Sequence, residues 1–270
     1  MGRIAGFAAI GAGVLFAAGA YWYQSINGDA PGDNSPALLR FFDHHAGELL
    51  GASILQGIGM LLVVVVATHL YRATKARDPK ATPVVHVMGI YGPVAFAIST
   101  VVRAVALAIL ASDFTGRAFQ SLDAADDVFK NPVLIAATVI GFSGVLALAY
   151  WFVKGCLDAM RVGLLTRFMG WIGVAMGPAL VLGFGTLLMP VWMIALGAML
   201  LGLWPRGAPP AWREGRAVPW PSMSPTRAGE ELVGGARNGE VETVGPGVRQ
   251  TADEPEGLTG RRKRKRLNGG

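Results

Sequence analysis

From Met169 to Trp204 the chain carries no charged side chain, a run of 36 residues. As one α-helix it would be about 54 Å long, whereas about 20 residues suffice to cross a hydrocarbon layer roughly 30 Å thick. The run must therefore fold back on itself. Division near Gly183 to Pro190 gives two short helices joined by a tight hairpin. The same search finds four more apolar segments bounded by charge or by Gly, Pro and Asn. The expected spans are 4–23, 46–70, 84–111, 132–153, 169–184 and 188–204. Charged residues make up only 16% of the chain and apolar ones 52%, against about 25% charged in an ordinary soluble domain. The expected fold class is an all-α polytopic membrane protein with six transmembrane helices.

Local signals support this division. Tyr21, Trp22 and Tyr23 close the first segment with the aromatic residues that favour a headgroup interface. The second contains the run Val63 to Val66. The third is long enough to tilt or kink, with Gly92 and Pro93 as the expected place. An alternative reading makes the first segment a cleaved signal peptide, because Arg3, an apolar stretch and Ala17 to Ala20 fit that pattern, although the stretch exceeds the usual 7–15 residues of a signal core.

Lys and Arg in short connections are retained on the cytoplasmic side. Arg3, Arg72, Lys75, Arg77, Lys80, Lys154, Arg161 and Arg167 fall on one side, and only Arg40, Arg117 and Lys130 on the other. The expected location is the plasma (inner) membrane with both termini cytoplasmic.

Beyond residue 204 the composition changes. Residues 205–270 hold 12 of the 24 basic and 8 of the 18 acidic residues, with 8 prolines and 12 glycines. Such a segment buries too little apolar surface to offset its ordering entropy, so a disordered basic cytoplasmic tail is expected. Trp212 and Trp220 are placed on the inner headgroup layer. The run Arg261, Arg262, Lys263, Arg264, Lys265, Arg266 would be drawn to anionic lipid by about 1 kcal/mol per residue near the surface. The other reading is a solvated tail that assists topology. Nucleic acid is not an expected partner, since no folded domain presents the run.

Ionisable residues at membrane depth are costly, and each marks a candidate site. Arg103 is the one charge well inside a segment, about 12 Å from the outer end of the third helix, with Ser99 one turn below it. On the second helix Glu48 and Gln56 are read as one face, with Ala52 and Gly59 between and beyond them. The expectation is an outer-half polar cluster of Glu48, Gln56, Ser99 and Arg103. Arg103 either pairs with Glu48 or extends to the external headgroups.

Other constellations are weaker. Asp43, His44, His45 and Glu48 cannot all converge on a metal from one helix, and Asp43 is read instead as a helix cap. His69 and His86 are expected in interfacial solvent. Asp113, Asp123, Asp126 and Asp127, interspersed with Phe and Leu, suggest a short amphipathic helix on the outer surface. Gly173 and Gly177, with Gly57, Gly59, Gly89 and Gly92, mark close helix packing within the chain or in a homodimer. The single Cys156 cannot form an internal disulfide. Walker, nucleophile-elbow and His-Glu-x-x-His motifs are missing. No catalytic residues, cofactor or metal site is expected.

The opening Arg3-Ile4-Ala5-Gly6-Phe7 and the stretch His69-Leu70-Tyr71-Arg72-Ala73-Thr74-Lys75-Ala76-Arg77-Asp78-Pro79 resemble those of small multi-pass inner-membrane proteins of high-GC, actinobacterial-type bacteria, which carry a domain of unknown function. The resemblance covers residues 1 to about 205 and implies a six-helix inner-membrane protein with no catalytic residues to carry over. The expected function is that of a non-enzymatic accessory or scaffold component, the alternative a small transporter or channel using the polar cluster.

Overall fold

The computed structural model describes residues 2–32, 36–204 and 209–218. Among these residues every element is helical: α1 (Gly2–Asn27), α2 (Pro36–His44), α3 (Ala46–Lys75), α4 (Pro83–Thr115), α5 (Leu122–Phe129), α6 (Pro132–Arg161), α7 (Arg167–Val181), α8 (Gly185–Leu200) and α9 (Pro210–Glu214). Helices α1, α3, α4 and α6 are long and apolar enough to cross a membrane. They overrun the apolar segments read from the sequence at most ends. Hydrophobicity marks the slab in which a helix must be apolar, whereas the hydrogen-bonded ladder continues past it into Arg72, Lys75, Lys154 and Arg161.

Helices α7 and α8 have 15 and 16 residues, about 22 and 24 Å at helical rise. They form the expected hairpin, turning at Leu182 to Phe184 with Gly183 at φ 87°. That left-handed conformation is one glycine adopts without steric penalty.

The six apolar helices pack as a closed ring in the order α1, α3, α4, α6, α7, α8, with α8 returning to α1. Glycine lets backbones meet at these seams. A Cβ at Gly59 of α3 would lie 2.7 Å from the Phe16 nitrogen of α1, and one at Gly144 of α6 would lie 2.9 Å from the Gly92 carbonyl oxygen of α4. Gly173 and Gly177 likewise face Cys156, Ala149 and Val153 of α6, which makes them intrachain packing positions. Helix α4 continues through Pro93 without a break.

One end of the ring carries the basic residues Arg72, Lys75, Arg161 and Arg167. The other is capped by the amphipathic helices α2 and α5, which pack on α4 and on each other. Ser121 caps α5 by accepting a hydrogen bond from the Ala124 amide. Asp43 does not cap α3: its carboxylate accepts from the Thr115 hydroxyl of α4 at 2.8 Å, and the residue at the cap is His45. Helix α2 has a sequence signal of its own, Pro36 at the first position followed by Leu38, Leu39, Phe41 and Phe42 at helical spacing.

Two apolar cores result. The larger joins all six ring helices around Phe16, Leu148, Trp151, Phe152, Met176, Met189 and Trp192. Its aromatic rings meet edge to face, Trp151 with Phe152 at 4.9 Å and Phe152 with Trp192 at 5.2 Å. The Trp192 indole N–H donates to the Met169 carbonyl at 2.9 Å, which satisfies its polar atom in an apolar site. The smaller core lies under the cap and contains Ile26, Leu39, Phe42, Leu49, Phe114 and Val128.

The described segment 209–218 folds against the basic end, so order continues past residue 204. Trp212 packs on the protein itself. Its indole N–H donates to the Leu164 carbonyl at 2.8 Å and its ring stacks on His69 at 5.5 Å. The Arg77 guanidinium lies over that ring at 5.6 Å and donates to the Ala211 carbonyl at 2.7 Å. Burial among these groups lowers its pKa from the ordinary guanidinium value. The Val218 amide donates to the Val162 carbonyl. His86 stacks on Tyr71 at 4.6 Å. The two histidines are thus half-buried ring partners, not solvated interfacial residues. Trp220 and the basic run Arg261 to Arg266 lie outside the described residues.

A candidate ligand cavity between two cores

Between the two cores is a cavity of about 390 Å³. Its walls come from α3, α4 and α6, with Tyr23 of α1 and Phe42 of α2 at the capped side. Leu49, Phe96, Leu107, Phe142 and Val145 make most of the lining apolar. The polar lining groups are Ser53 and Gln56 on α3, Ser99, Thr100 and Arg103 on α4, and Thr138 on α6.

These groups occupy one layer. A Cβ at Gly57 would lie 3.6 Å from Val101 and 3.7 Å from the Ala97 carbonyl, which sets Ser53 and Gln56 level with the middle of α4. A Cβ at Gly141 would lie 2.6 Å from the Ser99 hydroxyl, which sets α6 in the same register. Three hydroxyls already donate to their own helices: Ser99 and Thr100 to the Phe96 carbonyl at 2.9 and 2.8 Å, Thr138 to the Leu134 carbonyl at 2.8 Å. Their oxygens retain acceptor capacity. Ser53 and Gln56 differ. They are 1% and 8% exposed and make no side-chain hydrogen bond among the described residues. Arg103 is exposed on the cavity rim and forms no ion pair among the described residues.

A second cavity of about 340 Å³ adjoins the first and shares Phe42, Arg103, Leu107 and Thr138 with it. Its remaining walls are Leu38, Phe129, Leu134, Ile135 and Val139. Arg103 and Thr138 therefore stand where a polar layer meets an apolar recess.

Of the four residues expected to cluster, the structure brings Gln56, Ser99 and Arg103 to one cavity and leaves Glu48 out. Glu48 is exposed near the start of α3, lines neither cavity and has no ion pair among the described residues. The reason is angular drift. Eight residues at 100° each place Glu48 about 80° away from Gln56, whereas Leu49, Ser53 and Gln56 follow the spacing that keeps one face. Ala52 and Gly59, read as part of the same stripe, face α1 through Gly19 and Phe16. Ser53, Thr100 and Thr138 were missed. Each is a hydroxyl at the depth of Arg103, and comparing depth between helices would have found them.

Near the cap, the His45 ring meets the Phe41 carbonyl at 3.0 Å and lies tilted against the Phe41 ring, with centroids 4.4 Å apart. Among the described residues no three His, Cys, Asp or Glu side chains are grouped to hold a metal ion. No protein-family model, curated protein or solved structure matches the chain.

Proposed function

We propose that this protein is a non-enzymatic component of a bacterial plasma membrane, an accessory or scaffold protein of the multi-pass family it resembles, that works by holding a ligand in the cavity near its capped end. In this reading α1, α3, α4, α6, α7 and α8 are six transmembrane helices and both termini are cytoplasmic. The bias of Lys and Arg toward one end supports that orientation. The short α7–α8 hairpin enters and leaves on one side, so the position of the C-terminus does not depend on how deep its tip reaches. Residues 219–270 then form a basic cytoplasmic tail, and its run Arg261 to Arg266 meets anionic lipid.

The observation that carries the proposal is the cavity whose wall holds two buried polar side chains, Ser53 and Gln56, without a hydrogen-bond partner among the described residues. Ligand pockets typically have this constitution, a mainly apolar concavity with a few placed polar groups. The larger core, with Leu148, Trp151, Phe152 and Trp192 fully buried, closes the route toward the basic end and favours binding over conduction. A small transporter would use the same cavity and would have to open that core.

Thiol labelling separates the readings. In a Cys156→Ala background, Thr100→Cys places the only thiol on the cavity wall. A membrane-impermeant anionic thiosulfonate is applied to sealed vesicles of each orientation. Labelling solely from the face bearing Arg40, Arg117 and Lys130 is the expected result. Labelling from both faces replaces the proposal with the transporter, and failure to label the folded protein from either face removes the cavity reading.

A further inference from the structure

Arg103 is ten residues from Asp113 along α4, about 15 Å at helical rise. On the proposed topology this places a guanidinium that has no ion pair among the described residues within the hydrocarbon layer, where a charge persists only with a partner or a route to the surface. The candidate from the chain itself, Glu48, is elsewhere. The other groups in the polar layer are uncharged, and none is a carboxylate. What surrounds Arg103 is a set of neutral hydrogen-bonding groups on one side and an apolar recess on the other.

From this juxtaposition we infer that the paired cavities bind one anionic amphiphile from the outer leaflet, a carboxylate or phosphate head carried on a hydrocarbon chain. The inference deepens the ligand-holding function proposed above and rests on it. The Arg103 guanidinium is the counter-ion of the head, a charge-assisted contact that suits the planar donors of arginine. The buried Gln56 amide and Ser53 hydroxyl supply donors that have no partner among the described residues. The chain of the ligand occupies the recess between Leu38, Phe129, Ile135 and Val139. A neutral lipid would leave the guanidinium uncompensated. A small anion without a chain would leave the recess empty and lose the burial of apolar surface that drives binding.

The test uses full-length protein in a neutral detergent, with radiolabelled palmitate and oleoyl lysophosphatidate as anionic probes, hexadecanol as the neutral one and inorganic phosphate as the chainless one. At least one anionic amphiphile is expected to bind about tenfold or more tighter than hexadecanol, and phosphate should not compete at comparable concentration. Arg103→Gln is expected to weaken the anionic probe by about tenfold and to leave hexadecanol unchanged, with Arg103→Lys restoring part of the difference. Leu107→Trp, which fills the shared wall without removing a charge, should abolish binding of every probe and keeps the test decisive should Arg103→Gln not fold. Equal binding of charged and neutral probes overturns the anionic head while leaving the cavity as a ligand site. Competition by phosphate as strong as by palmitate overturns the amphiphile. Failure of all probes to bind a folded protein whose Thr100→Cys thiol is also unreactive overturns the ligand site itself.

Discussion

Gly59 and Gly57, two positions apart on α3, face different surroundings. A Cβ at Gly59 would press on the Phe16 nitrogen at 2.7 Å and the Ala12 carbonyl at 3.1 Å, both backbone atoms of α1 that no rotamer change can move. A Cβ at Gly57 meets nothing nearer than 3.6 Å. Gly59→Ala is therefore expected to destabilise the protein by about 1–3 kcal/mol through overpacking. Gly57→Ala should be neutral or slightly stabilising, because alanine favours a helix over glycine by about 1 kcal/mol. Thermal unfolding of the two variants in one detergent reads the difference directly, and indistinguishable midpoints would contradict the close α1–α3 seam. Gln56 shows how residue-level reading goes astray by one face: the residue belongs to the cavity as expected, but its partners at helical spacing are Leu49 and Ser53, and Glu48 has drifted off.

At the scale of elements, the long helices were legible because hydrocarbon imposes a minimum apolar length, and the hairpin was legible because 36 uncharged residues exceed one crossing. The short elements at the ends were harder. Helix α2 was missed although Pro36 and the Leu–Phe pattern announce it, and the segment 209–218 was read as unfolded from its Pro and Gly content. What orders that segment is tertiary: Trp212 finds a carbonyl, an imidazole face and a guanidinium contributed by residues 48 to 143 positions away in the chain. No local pattern encodes that. Trp212→Ala removes the hydrogen bond and both ring contacts, an expected loss of about 1–3 kcal/mol. Limited trypsin digestion should then cut at Arg213 or Arg216 at a protease dose that spares both sites in the parent protein. Unchanged protection would mean that the backbone contact from Val218 to Val162 suffices.

For the molecule as a whole, the sequence disclosed helices and one polar layer, but not that two cores would form with a cavity between them. That gap depends on how α3, α4 and α6 meet, which in turn depends on which glycines touch which backbone, and a single sequence does not state the pairings. Cys156 offers a global measurement. It is buried in the larger core against Gly173 of α7 and is the only thiol in the chain. Its reaction with a maleimide in detergent should be slow in the native state and should rise with the same midpoint as loss of helicity on heating. Rapid labelling well below that midpoint would show that α6 and α7 part before the rest unfolds.

The closure of the ring by α8 against α1 has a consequence for how the protein is made. Gly13 meets the Pro190 carbonyl, and Gly197 meets the Gly6 carbonyl, so α1, made before α3, acquires its second neighbour only when α8 is synthesised. Until then one flank of α1 is a small-residue groove facing lipid. A nascent chain that stops after α6 would carry that groove open, together with the unfilled surface that Trp192 covers in the finished protein. Such an incomplete product exposes two surfaces that the complete ring buries, so the order of synthesis leaves the α1 seam as the last of the ring to close.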